Sequence, residues 1–484
     1  MTERINELSH TGVAGSSEQT RPPGQLRANK LGVIAVAFFV IAAAAPMAAV
    51  VGAGPVVFAS VGPAAPIVYA MAALLIALFA VGYLRMSRHV INAGGFVAYI
   101  AKGLGNSWAT AGAGLAVLTY LSLQVGLWSQ FGVFSGQLIE TLTGISAPPL
   151  VWILVLLVIT TALAMRGIDA SIRVLGVIIV AETLVVAALV AALVASKGPE
   201  VFSVSGFTTQ NIFGPGLGIA LLFAFLCFTS FEATVVFSEE AVNPHKTIPR
   251  ALYAVIAFVG LFYTLSMLVI GGAVGVDNIQ TTATEDPAGF IFALAASSGG
   301  DALSMAMQIL VVTSYLAMLL GLMNMFARYL FALSRAGVLP AGLAKVSKQG
   351  SPATAAMING VAVGIVIVIF LLSGADPVTT VFAWFSALGT AAFITILILT
   401  SVAIVVFFLR GKDRSNPWAT KIAPVLSVLV FAYVGYLTIE NYDSLIGPDN
   451  GVAKWLLVLI PVMIAAGLAL GKAKRSIDYA TVVV

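Results

Sequence analysis

Charge is what this chain has least of. Only 9% of its 484 residues are Asp, Glu, Lys or Arg, against about 25% in a soluble globular domain. With 60% of the residues hydrophobic, there is too little polar side chain to cover a water-exposed surface, so a water-soluble fold is excluded and a polytopic membrane protein is indicated. Cysteine is nearly missing as well. Cys227 stands alone, which rules out an intramolecular disulfide and a cysteine-rich metal site; in its apolar setting it reads as a small packing residue. The three histidines, His10, His89 and His245, have no metal-ligand spacing and join no cluster of Asp, Ser or Cys, which argues against a membrane-embedded enzyme. No G-x-x-x-x-G-K-[ST] loop occurs, so ATP is not the expected energy source. No cofactor is implied. The formal net charge of +4 reads as a positive-inside bias rather than as affinity for nucleic acid.

Long apolar runs are plentiful. Twelve segments of spanning length, about 20 residues each, lie near 31–58, 64–84, 107–137, 148–166, 173–196, 215–240, 249–274, 302–333, 354–373, 379–409, 419–439 and 451–470. The basic residues test this count. With the N-terminus placed in the cytoplasm, alternation puts all of the 24 basic residues except Lys197 and Lys454 on the cytoplasmic side. The acidic loop residues, among them Glu140, Asp277, Asp376 and Asp443, fall on the other face. Both termini are then cytoplasmic. Residues 1–30 are polar, lack an apolar core and a small-residue cleavage site, and read as a disordered tail rather than a signal peptide. Residues 31–472 form one transmembrane domain, and 473–484 a second cytoplasmic tail.

The chain is organised around Gly216–Arg250, GLGIALLFAFLCFTSFEATVVFSEEAVNPHKTIPR. An apolar helix is interrupted there by Phe228, Thr229, Ser230, Phe231 and Glu232, and ends in a polar cluster that includes Glu239, Glu240 and Asn243-Pro244. A carboxylate inside a membrane helix costs roughly 2.5–3.5 kcal/mol on insertion scales, so a chain that keeps one turns it inward, as a coupling or gating group or as a structural cap. The first segment, LGVIAVAFFVIAAAAPMAAVVGAGPVVFAS, is interrupted in the same way by Pro46, Gly52, Gly54 and Pro55. Two mid-membrane breaks in corresponding positions are the best sequence pointer to a transporter site. Helix N-termini exposed by a break attract a carboxylate, and exposed carbonyls accept bonds from an ammonium. A zwitterionic amino acid therefore suits such a site without any fixed protein charge. Ala45, Pro46, Met47, Ala48 and Gly52 of the first break, with Phe228, Thr229, Ser230 and Phe231 of the second, are the candidate substrate-binding residues.

The pattern F-x-x-F-E followed by E-E-x-x-N-P-x-x-x-I-P-R-A resembles the sixth transmembrane helix of the amino acid–polyamine–organocation permeases. Asn92–Tyr99 is similar to that superfamily's A-G-G-x-x-x-Y loop after helix 2. Asn324, Arg328 and Ala332–Pro340 are similar to the end of helix 8 and the loop beyond it, and Ser351-Pro352 precedes helix 9 as it does there. The matches stay in register from about residue 31 to 355. The resemblance implies an all-α, twelve-helix, LeuT-like 5+5 inverted repeat with helices 1 and 6 broken: repeat one 31–196, repeat two 215–409, and helices 11 and 12 within 419–470. The loops Asn92–Ile100 and Pro287–Leu294, after the second and seventh segments, have the offset and opposite sidedness such a repeat requires. Two departures stand out. Most relatives carry Gly where Ser230 stands, and usually a Gly-rich break where this chain has Ala45–Ala49.

The resemblance also implies secondary transport of amino acids by alternating access, with the substrate bound between the two breaks in a lipid bilayer. Many relatives have a Lys near Glu182, in the fifth segment; an acid replaces it here. Burial disfavours the charged form of a carboxyl, which makes Glu182 a candidate proton carrier, and Glu232 and Phe231 candidates for gating and coupling. A neutral structural Glu182 is the alternative, and Thr313 with Ser314 offers hydroxyls to a sodium ion instead. Tyr120, Gln124, Trp128, Tyr315 and Trp384 are candidate walls of the pocket, or packing. Rivals to an amino acid symporter are an amine or polyamine exchanger, for which only Glu232 and Glu182 would supply acid, and a transporter-like nutrient sensor. The particular substrate and the oligomeric state do not follow from these residues.

Overall fold

In hydrocarbon the backbone has no water to bond to, so a chain this apolar must satisfy its N–H and C=O groups within helices or a closed barrel. The computed structural model takes the first course. It describes residues 32–90, 95–167, 172–236, 241–347, 350–411, 416–446, 451–474, 477 and 479. The expected tail 1–30, most of 473–484, Asn92, Ala93 and Gly94 of the loop motif, and Glu239 and Glu240 lie outside the described residues.

The described residues are helical throughout their apolar segments and contain no strand. Helix α1 (Val33–Ala44) leads through a break into α2 (Gly54–Val61), followed by α3 (Ala65–Ser87), α4 (Gly95–Leu104), α5 (Asn106–Thr143), α6 (Pro149–Met165) and α7 (Ile172–Lys197). After a second break at the end of α8 (Leu217–Leu226) come α9 (Pro244–Val274), α10 (Phe290–Gly299), α11 (Asp301–Arg335), α12 (Ala353–Leu372), α13 (Ala383–Arg410), α14 (Ala423–Glu440) and α15 (Gly451–Ala473). Among the described residues nine stretches are long and apolar enough to cross a membrane, or ten if the bent pair Leu217–Leu226 and Thr229–Val235 counts as one span. The twelve expected segments do not map onto these one for one, for two reasons. The first two run on as a single 55-residue stretch, Val33–Ser87, turned at Gly62 by its positive φ of 53°. The fourth is the 17-residue α6, shorter than a full span. The paired loops expected after the second and seventh segments each contain a ten-residue helix, α4 and α10.

The centre of the bundle is α5. It packs against α15, α13, α11, α4 and α6, and small residues such as Gly126 and Gly132 let its neighbours close on it. α1 lies against α9, α7 and α11, while α8 lies against α2, α14 and α3. The outward faces are aliphatic and unpaired: Val155 and Val158 of α6, Val177 and Leu184 of α7, Ile365 and Ile369 of α12, and Leu429 of α14 are all exposed. An apolar belt of that extent is what lipid covers. Lys454, one of the two basic residues placed opposite the rest by the sequence, pairs with the acidic-face residue Asp443 at 2.6 Å.

One buried polar pair fixes α12 to the centre. Gln124 and Asn359 exchange two amide hydrogen bonds, Asn359 Nδ2 to Gln124 Oε1 at 2.9 Å and Gln124 Nε2 to Asn359 Oδ1 at 3.3 Å. Truncating one partner strands the other, a penalty of about 1–3 kcal/mol. Asn359→Leu is expected to lower the melting temperature of the purified protein, and the double change Gln124→Leu/Asn359→Leu to recover most of the loss. A double variant no more stable than the single one would show that the pair does not act as a unit.

Candidate functional site

The first break is set by Pro46. Its ring clashes with an α-helical residue before it, and Ala45 leaves the helix for the left-handed region, φ 46°, ψ 72°. That conformation costs an L-residue about 1–2 kcal/mol. Asn243, the other non-glycine with positive φ among the described residues, also precedes a proline that opens a helix. α1 is closed by the Ala45 N–H on the carbonyls of Ile41 and Ala42. The chain re-enters a helix at Pro46, loosens to a π-turn over Ala49–Ala53, and tightens again at Gly54–Val61. The wide turn falls where the Pro55 ring would otherwise press on the carbonyl four residues before it.

The second break follows Leu226. The last turn of α8 tightens, with Cys227 donating to the Ala224 carbonyl and Phe228 to that of Phe225. A 3₁₀ turn, Thr229–Glu232, then leads into Ala233–Val236, bent by 43° from α8. The breaks are neighbours: Thr229–Glu232 packs on α1, and α8 packs on α2. Each half of one broken helix therefore lies beside a half of the other.

Glu182 of α7 is buried, 1% exposed. Its Oε2 accepts the backbone N–H of Met47 at 3.1 Å, so the acid expected to couple a proton bonds the backbone of the first break directly. The hydroxyl of Ser314 on α11 adjoins this carboxyl yet has no hydrogen-bond partner among the described residues. Tyr263 of α9 donates to the Ala44 carbonyl at 3.5 Å and packs against Phe228 with ring centroids 6.2 Å apart. Tyr69 of α3 meets Cys227 Sγ at 3.9 Å.

Glu232 makes a different set of contacts. Tyr120 of α5 donates to its Oε2, and the Phe96 backbone at the start of α4 bonds the same carboxyl. A carboxylate at that position meets the positive end of α4. Gly95 has a φ of +53°, and a Cβ there would lie 2.7 Å from Glu232 Oε1; the motif's glycine is required for the approach. Phe231 is buried among Phe79, Tyr83, Phe96 and Phe393. It sits in an aromatic cluster beyond the second break.

The candidate residues thus separate into groups. Pro46, Met47 and Ala48 lie at the first break with Glu182, and Phe228, Thr229 and Ser230 at the second, where Thr229 and Ser230 are half-buried. Gly52 lies within the π-turn. Gln130 Nε2 donates to its carbonyl at 3.2 Å, Tyr315 donates to Gln130 Oε1, and a Cβ on Gly52 would meet both side chains. Among the candidate walls, Tyr120 and Tyr315 bond across helices, Gln124 belongs to the pair with Asn359, and Trp128 and Trp384 pack on Phe131 and Phe370. Thr313 bonds back to the Leu310 carbonyl at 3.0 Å. Gln130, Tyr69 and Tyr263 were not singled out in the sequence; nothing in their local pattern separates them from ordinary packing residues. Among the described residues no group of three His, Cys, Asp or Glu could hold a metal ion. A cleft lined by Ser87, Arg88, Val235, Pro244 and His245 lies between the end of α3, the segment after the second break and the start of α9.

The chain's likeness to known proteins agrees with a membrane carrier. The family model described as amino acid permease matches residues 31–467. The branched-chain amino acid permease BcaP of Lactococcus lactis is 26% identical over 84% of this chain and 87% of its own length. The methylthioribose transporter of Bacillus subtilis is 25% identical over 78% of this chain and 80% of its own. The aromatic amino acid transport protein AroP of Escherichia coli is 27% identical over 36% of this chain and 38% of its own.

The Tyr120–Glu232 bond yields a test. Tyr120→Phe leaves the carboxylate without its side-chain donor, and Glu232→Gln keeps a hydrogen-bonding group but removes the charge at the start of α4. A hydrogen bond to a charged group is worth about 1.5–3 kcal/mol, about tenfold or more in an equilibrium. Both variants are expected to insert normally and to lose about tenfold in initial uptake rate. Wild-type rates in both would remove this contact from the transport cycle.

Proposed function

The chain belongs to the amino acid permease family, transporters and not enzymes, and from that premise we propose that it carries amino acids across the cytoplasmic membrane by proton-coupled secondary transport with alternating access. The observation that carries the proposal is the apposition of two broken helices with a buried carboxylate bonded to the backbone of one of them. The breaks present backbone polar groups inside an otherwise apolar bundle, which is the usual place for a transporter's substrate. Ala45, Pro46, Met47 and Ala48 on one side, with Phe228, Thr229 and Ser230 on the other, flank that place. Gly52 carries the outer end of the first break, held by Gln130.

In this reading the architecture is a twelve-helix 5+5 inverted repeat, with both termini in the cytoplasm. The 55-residue stretch Val33–Ser87 is about 80 Å of helix at 1.5 Å per residue, enough for two crossings of a hydrocarbon layer about 30 Å thick. α6 supplies a short crossing, and α4 and α10 are the equivalent short helices of the two repeats. Glu182 carries the proton. Glu232 and Tyr120 close the basic end beneath the second break, with Phe231 and its aromatic neighbours as the plug. The similarity to a methylthioribose transporter alongside amino acid permeases leaves the substrate side chain open, so the proposal extends to the amino acid class and no further.

Reconstitution tests the proposal. Proteoliposomes given a panel of labelled amino acids are expected to accumulate at least one of them when an inward proton gradient is imposed, and to stop when the gradient is collapsed with an uncoupler. Uptake only into vesicles preloaded with substrate would replace symport by exchange, and binding without any uptake would point to a sensor.

A further inference from the structure

Among the described residues the Met47 amide is the one backbone donor of the first break with a side-chain acceptor, and that acceptor is a carboxylate. A substrate carboxylate drawn to the same break would seek the same donor. Beside it the Ser314 hydroxyl, 2% exposed and without a partner among the described residues, adjoins the Glu182 carboxyl. Two donors, the Met47 N–H and the Ser314 hydroxyl, therefore face a single carboxylate.

We infer that deprotonated Glu182 occupies the subsite of the substrate's own carboxylate, so that proton binding to Glu182 and carboxylate binding at Met47 are one linked event. This deepens the transport reading and rests on it. With Glu182 ionised, its Oε2 holds the Met47 N–H, and a second carboxylate meets both a missing donor and a like charge. When a proton adds to Oε2, the carboxyl becomes neutral. It gives up the Met47 N–H to the incoming carboxylate and turns its new O–H toward the Ser314 oxygen. When the proton leaves on the other side of the membrane, the carboxylate of Glu182 retakes the amide and expels the substrate. No covalent bond is made or broken; one proton and one carboxylate enter and leave together.

The surroundings suit a group that answers to its own proton alone. α1, the Pro46–Ala48 turn and α10 contain no titratable residue. α9 presents Tyr263 to Glu182. α11 presents Ser314, while the next residue, Tyr315, is turned to Gln130. Asp301, Arg328 and Arg335 of α11, His245, Lys246 and Arg250 of α9, and Glu200 beyond α7 lie several turns along from this point.

The test is equilibrium binding to the purified full-length protein across a pH series, using the panel of labelled amino acids. The wild-type protein is expected to bind its amino acid about tenfold to a hundredfold more weakly at alkaline than at acid pH, the span of a charge-assisted hydrogen bond. Glu182→Gln is expected to bind at alkaline pH as tightly as the wild type does at acid pH, because the competing charge is gone; a merely structural role for Glu182 would weaken binding at every pH. Glu182→Asp, which keeps the charge, is expected to restore the pH dependence. Binding by Glu182→Gln that still weakens with rising pH, or that is weaker throughout, would overturn the inference while leaving the transport reading in place. Failure of every amino acid to bind the wild-type protein at any pH would overturn the transport reading and this inference with it.

Discussion

A helix that breaks inside a bilayer must find new partners for the backbone groups it releases, because hydrocarbon supplies none. The other features of the site answer that constraint. At the first break Glu182 accepts from the Met47 amide and Tyr263 donates a hydrogen bond to the Ala44 carbonyl, while Gln130 reaches the carbonyl of Gly52 farther along the π-turn. At the second break the helix tightens on itself, and Thr229 and Thr234 return their hydroxyls to the carbonyls of Leu226 and Phe231. Each of these bonds comes from a different helix or from the break itself. The interruptions are therefore held by the whole bundle.

Helix α5 is the part of the bundle on which both halves close. Tyr120 reaches Glu232 in the second break, and Gln130, ten residues later on the same helix, reaches Gly52 in the π-turn of the first. The two contacts are about 15 Å apart along the axis at 1.5 Å per residue, and they grip opposite ends of the broken pair. α5 is buried on nearly every side, so both breaks are held against a fully packed helix. The described conformation has both grips closed.

Much of this was legible in the residue order. The scarcity of charge forced a membrane protein, and prolines at 46 and 55 marked the first break. The run Phe228–Glu232 marked the second, and the resemblance built on it led to the family that the comparisons show. Span boundaries were less legible. Gly62 joins two segments into one long stretch, and α6 is short, because hydropathy registers apolar length and not where a backbone turns.

The sequence by itself determined that the chain lives in a bilayer, that the first apolar segment and the run Gly216–Arg250 are interrupted, and that Glu182 and Glu232 are the acids buried with them. These follow from composition, proline chemistry and the cost of a carboxylate in hydrocarbon, all of which are local. Only the tertiary structure decided which groups the two acids bond. Glu182 and Met47 are 135 positions apart, Tyr120 and Glu232 112 apart, and no periodicity within either segment encodes such a meeting. Which acid sits on the break and which fastens the basic end depends on how α5, α7 and the broken helices pack, and packing is a property of the assembled bundle.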